Sequence, residues 1–164
     1  MEERLKLPEW RLLPDIGLYM DQVITLMERT FEGMHLQDGI TKSMVNNYVK
    51  AGLIGRPVNK RYDREHLAML LEIAVLKQAL SMEEIARIFA MQRSVGVCEG
   101  YAWFCRQVQD TQDALISGMV PARPQDERER AALLGVAAAV CTIHARRALR
   151  ETEENAKKER RTEA

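Results

Sequence analysis

Apolar residues recur along most of the chain at intervals of three and four, the period of helices that bury one side. Ile16, Tyr19, Met20, Val23, Met27 and Phe31 follow Pro14 and Asp15, which predicts a first helix over about 15–32, ended by Gly33. Met34 to Ile40 contains Asp38 and Gly39 and reads as a loop. Thr41 is a good N-cap for a short second helix that runs to Ala51 and stops at Gly52. On that helix Lys42, Ser43, Asn46, Asn47 and Lys50 gather on one side, while Met44, Val45, Tyr48, Val49 and Ala51 fill the other.

Leu53 to Asp63 is too rich in Gly, Pro and Asn for a helix and predicts a small hairpin whose tip carries Arg56, Lys60 and Arg61. Asp63 then caps a third helix over about 64–79, with Leu67, Leu70, Leu71, Ala74 and Lys77 on one face. Ser81-Met82-Glu83-Glu84 is a capping box that opens a fourth helix through Ile85, Ile88 and Phe89. Past residue 90, Val95, Gly96 and Gly100 are weak helix positions. Tyr101, Phe104, Cys105, Val108 and Leu115 then restore helical spacing to about Ile116. Ser117 to Pro124 predicts a hinge or loop, and a final helix follows over about 126–150. Between Ala131 and Ala145 that helix is apolar on nearly every side, a pattern that calls for enclosure by other helices or by a second copy. The charged tail 151–164 is expected to fray. The chain therefore divides into residues 1–90, a helical region 91–150 and the tail 151–164.

Composition changes this picture little. With 46% hydrophobic and 29% charged residues among 164, the chain is of ordinary globular type. Charge is balanced at 24 basic against 24 acidic residues, but unevenly spread: residues 41–66 carry 6 basic and 2 acidic groups, a net +4. An anionic partner is expected there. Cys98, Cys105 and Cys141 include no C-x-x-C pair and are too few for a disulfide framework, which points to a reducing cytoplasm. The N-terminus lacks the apolar run of a signal peptide, and Ala131–Cys141 is broken by Gly135, so neither export nor membrane insertion is expected.

Cys98 and Cys105 stand two turns apart on one helix face, roughly 10 Å from each other, too far to share one ion within a single helix. Small core cysteines or soft-metal ligands completed by Cys141 are the two readings, and no metal or other cofactor is expected. Tyr101 and Phe104 read as core and Trp103 as their half-exposed neighbour, with a ligand pocket as the alternative. His35, His66 and His144 are scattered without a partner carboxylate at ligand spacing. There is no nucleophile elbow, phosphate-binding glycine loop or paired acid, so a non-enzymatic protein is expected.

Thr41 to Ile54, with Tyr48, Lys50 and the exit Gly52-Leu53-Ile54, resembles the second helix of MerR-type winged helix-turn-helix regulators and the turn that follows it. Asn59-Lys60-Arg61-Tyr62 resembles their wing, and Leu80 to Ile85 the start of their next helix. The stretch from Leu7 to about Phe89 is more similar still to a bacterial family of MerR-like proteins catalogued only as a domain of unknown function. Asn46, Asn47 and Tyr48 stand where MerR relatives carry an arginine and two tyrosines.

The resemblance implies an all-α fold with a small β-wing, a DNA-binding half over 1–90, and a cytoplasmic, sequence-specific transcriptional regulator. Its DNA-facing set would be Thr41, Lys42, Ser43, Asn46, Asn47, Lys50, Arg56, Lys60, Arg61 and Tyr62. Asparagine offers a bidentate contact to adenine, and the cations and Tyr62 offer contacts to phosphate. Tyr62 could equally pack. The expected assembly is a homodimer through the C-terminal helices on double-stranded DNA, with a small-molecule or protein effector left open. A second reading keeps the fold and uses the 41–62 surface or the final helix to bind another protein.

Overall fold

The computed structural model describes residues 4–34, 36–119 and 125–162. Within them are six α-helices: α1 (Met20–Thr30), α2 (Lys42–Lys50), α3 (Arg64–Leu76), α4 (Met82–Gln92), α5 (Val97–Ser117) and α6 (Glu127–Thr162). A 3₁₀ turn, Trp10–Leu12, precedes them. The predicted loop at 117–124 lies partly outside the described residues.

Three helix starts follow from their own caps. The Thr41 hydroxyl accepts the Met44 amide at 3.2 Å to open α2. Ser81 and Glu84 form the expected capping box at α4, the Ser81 amide donating to Glu84 Oε2 at 2.7 Å. Such a cap is worth about 1 kcal/mol. Hydrogen bonds from Ser81 to the Glu84 carboxylate hold it below the usual carboxylate range. At α3 the cap is Asp63, whose carboxylate accepts the His66 amide at 3.1 Å and lies 2.6 Å from His66 Nδ1. His66 therefore has a carboxylate partner three residues away, contrary to the sequence expectation. Its other ring nitrogen is 3.2 Å from the Gly55 carbonyl oxygen.

α3 is the centre of the molecule. Every residue from His66 to Leu76 except Met69 is buried, and the helix packs against α5 and α6. One continuous hydrophobic cluster runs from Leu5 through α3 and Tyr101, Phe104 and Val108 of α5 to Ile143 of α6. Tyr101 and Phe104 are fully buried, as core residues, and Trp103 is half-buried with its indole N–H donating to Glu129.

Two amide side chains fasten distant segments to this core. Gln112 accepts the Leu5 amide at 2.7 Å and donates to the Leu5 carbonyl at 3.1 Å, pinning the N-terminal strap across α5. Gln78 accepts from the Gln37 amide and from Arg146, and donates to the Ala74 carbonyl. Beside it, Lys77 donates to the Asp38 and Gly39 carbonyls, so the loop between α1 and α2 is held by the end of α3.

The structure departs from the periodic pattern where the partner is remote. α1 starts at Met20 rather than near 15, because Leu18 exchanges both backbone hydrogen bonds with Tyr62, at 2.8 Å each, and is held extended. The predicted hairpin is a single tight turn: Val58 and Arg61 bond each other across Asn59 and Lys60, whose φ values are +51° and +61°. Those values are those of a type I′ turn. Among the described residues there are only isolated bridges, Leu18 with Tyr62 and Val58 with Arg61, and no strand; the chain after the turn pairs with Leu18, not with a second wing strand. The class is all-α.

α6 is enclosed on one side only within a single chain, and it is longer than expected. Ala132, Val136, Ala139, Val140 and Ile143 are buried, but Leu134, Ala138, Cys141 and Ala145 on the opposite side are exposed, so the core covers only one side of the apolar stretch. An 18-residue window of α6 has mean hydropathy 1.4, enough by length and composition to cross a bilayer; its buried side is the one that packs on α3, α4 and α5. Gly135 makes that contact close: a Cβ there would lie 3.0 Å from the terminal side-chain carbons of Ile88 and Leu80, which would have to give slightly. The helix also runs on to Thr162 rather than ending near 150.

Candidate nucleic-acid interface

α2 divides as its sequence requires. Val45 and Tyr48 point into the core and Leu53 and Ile54 seal the exit, which leaves Lys42, Ser43, Asn46, Asn47 and Lys50 exposed together on one side. Burial pushes the Tyr48 phenol above its ordinary pKa, as for a packed aromatic. Thr41 is exposed, with its hydroxyl oxygen occupied by the cap. Neither asparagine side chain is committed to a hydrogen bond among the described residues, so the amide edges of Asn46 and Asn47 remain available.

The cations divide into free and held. Arg56, Lys60 and Lys50 are exposed and engage no ion pair among the described residues. Lys42 pairs with Asp21 in the first turn of α1, both side chains being well exposed. An ion pair in water is worth only about 0–1 kcal/mol, so a phosphate can displace the carboxylate. Arg61 is held more firmly. Its guanidinium donates to the Gly17 carbonyl at 3.3 Å and to the Tyr19 hydroxyl at 3.1 Å, and its central carbon lies 4.6 Å from the centre of the Tyr19 ring. Gly17 makes the approach possible, since a Cβ there would sit 2.8 Å from Arg61 Cβ.

Tyr62 leaves the candidate surface altogether. It is 4% exposed and meets His66 edge-on at 5.5 Å, and burial pushes its phenol up. It packs because its backbone is fixed to Leu18, which turns the side chain inward. Tyr19 and Asp21 are the residues that sequence reasoning missed: both lie at the start of α1, and from there one braces Arg61 and the other Lys42. Pairings 42 and 21 positions apart leave no periodic trace. The result is a surface in which the start of α2 and the 58–61 turn flank the same end of α1, with the polar side of α2 between Lys42 and Lys50.

The cysteines do not converge. Cys98 and Cys141 are exposed and Cys105 is half-buried, with burial pushing its thiol up to about 11. Among the described residues no group of three or more His, Cys, Asp or Glu side chains is placed to hold a metal ion.

Residues 8–98 match the family model DUF1836, described as a domain of unknown function. No curated protein and no solved structure matches the chain. The matched family is described without a function.

Proposed function

Starting from the fact that this chain belongs to the DUF1836 family, we propose that it is a non-enzymatic, cytoplasmic DNA-binding regulator that reads duplex DNA with α2. The observation that carries this reading is the exposed side of α2, which holds two lysines, a serine and two uncommitted asparagines with no acid of its own. A helix is the element that fits the major groove, and Asn46 and Asn47 offer the bidentate edge that adenine accepts. Lys50, Arg56 and Lys60 supply attraction to phosphate, and Arg61 stiffens the turn that carries Lys60.

Binding measured against salt separates these roles. Lys60→Ala lowers the slope of log affinity against log salt by roughly one for each phosphate that a copy ceases to neutralise, and weakens binding to every duplex alike. Asn46→Ala or Asn47→Ala costs about 1–3 kcal/mol on a preferred site and much less on random DNA. Equal losses on both kinds of duplex would show that α2 is not the reader. No binding to any duplex at low salt would leave the same surface to a protein partner.

The working form we propose is a dimer through α6. Ala131, Leu134, Ala138, Cys141, Ala145 and Ala148 are all exposed and alternate at intervals of three and four, the seam of a two-helix coiled coil. Antiparallel pairing centred between Ala138 and Cys141 sets Leu134 of each copy opposite Ala145 of the other, large against small. Light scattering at micromolar concentration then reports twice 18.8 kDa, and Ala138→Glu returns the mass of one chain. A single-chain mass for the unaltered protein overturns the pairing.

A further inference from the structure

Among the described residues, two side-chain polar atoms are buried without a partner, and their residues line one cavity. Glu72 Oε2 and Gln92 Nε2 are both shielded from solvent and meet no hydrogen-bond partner. Glu72 is 2% exposed and sits in mid-α3 between the fully buried Leu71 and Ile73. Gln92, the last residue of α4, packs its side chain against Gly100 of α5. The cavity measures about 470 Å³ and is walled by Leu53, Met69, Met82, Phe89 and Val97. That volume lies within the roughly 300–1,000 Å³ of small-molecule sites, as does a mainly apolar lining with a few polar groups.

An unpaired carboxyl and an unpaired amide donor are each costly in a core, and a folded protein keeps such groups where something else satisfies them. The neighbours do not. Tyr101 and Cys105 face Glu72 from α5 and bring no positive charge, while Glu83 and Arg93 lie exposed on the cavity lining. Burial alone pushes the Glu72 carboxyl up to about 8.

We propose that this cavity binds a small organic amine, its apolar body against Met69, Met82 and Phe89, its ammonium on Glu72, and an acceptor oxygen receiving the Gln92 N–H. An ammonium gives the carboxylate both a countercharge and a charge-assisted hydrogen bond. An anion would meet the carboxylate, and a wholly apolar ligand would leave both polar atoms unpaired. The site is independent of DNA binding. It is nevertheless placed to affect it, because Ala51, Gly52 and Leu53, which line the cavity, are the exit of α2.

The probes are L-phenylalaninamide and 3-phenylpropanamide, which differ only in the amino group, titrated calorimetrically into the full chain. Phenylalaninamide is expected to bind at millimolar concentration or below, about tenfold or more tighter than 3-phenylpropanamide. Glu72→Gln removes that tenfold preference while leaving the weaker amide unchanged. Ala86→Trp, a substitution at an exposed position of α4 on the cavity lining, abolishes binding of both. Absence of phenylalaninamide binding to the unaltered protein, equal affinity for the two probes, or a preference that survives Glu72→Gln each overturns the proposal.

Discussion

Arg56→Glu combined with Lys60→Glu abolishes duplex binding at moderate salt and leaves the protein folded. Residues 41–66 carry six cations against two acids, and two reversals take that net +4 to zero. If each cation neutralises one phosphate, a dimer leaves four phosphates without a countercharge, and counterion release alone then costs roughly a thousandfold at physiological salt. Repulsion by four new carboxylates adds to this. The fold should tolerate the change because both side chains are exposed and uncommitted, and such substitutions cost within about 0.5 kcal/mol. Fluorescence anisotropy of a labelled duplex, with circular dichroism as the control on folding, reads both outcomes. A folded double variant that still binds removes the turn from the interface.

A second large effect belongs to Glu72 in the protein with its cavity empty. Its carboxyl titrates near 4.5 when unfolded and about 8 when buried, so between those values the native chain holds a proton that the unfolded chain has released. Stability therefore falls as pH rises through that window, by roughly 1.4 kcal/mol per pH unit, or about 4 kcal/mol between pH 5 and pH 8. The groups around the carboxyl do not reverse the sign: Tyr101 and Cys105 stay protonated across the window, Gln92 does not titrate, and Glu83 and Arg93 lie exposed in water. Glu72→Gln is neutral at every pH and should remove this slope, leaving the variant several kcal/mol more stable than the parent at pH 8. Urea unfolding at a series of pH values checks it, and parallel curves for the two proteins would place the carboxylate in contact with water.

What the sequence made legible was local. Thr41, Asp63 and Ser81 cap their helices with groups three residues away, so the starts of α2, α3 and α4 could be read directly. The polar side of α2 needed only the angle between residues. The start of α1, the reduction of the hairpin to a turn, and the inward rotation of Tyr62 all follow from one remote pairing, Leu18 with Tyr62, which no window of neighbouring residues contains. Arg61 looked like a free cation because Tyr19, which braces it, lies 42 positions back. Glu72 did leave a signal, a lone acid inside the apolar run from Leu67 to Leu76. Periodicity counts such a residue as a polar position rather than as a buried charge.

The length of α6 sets how the molecule moves through water. Its 36 residues make a rod of about 54 Å, against a radius of gyration near 15 Å for a compact chain of this size. Burial stops at Ile143, so from residue 148 onward the rod stands about 22 Å clear of the body. Such an arm adds drag without adding mass. One chain will therefore elute early from a sizing column and sediment slowly for its weight, mimicking a larger particle. Copies must be counted by scattered light, which reports mass whatever the shape.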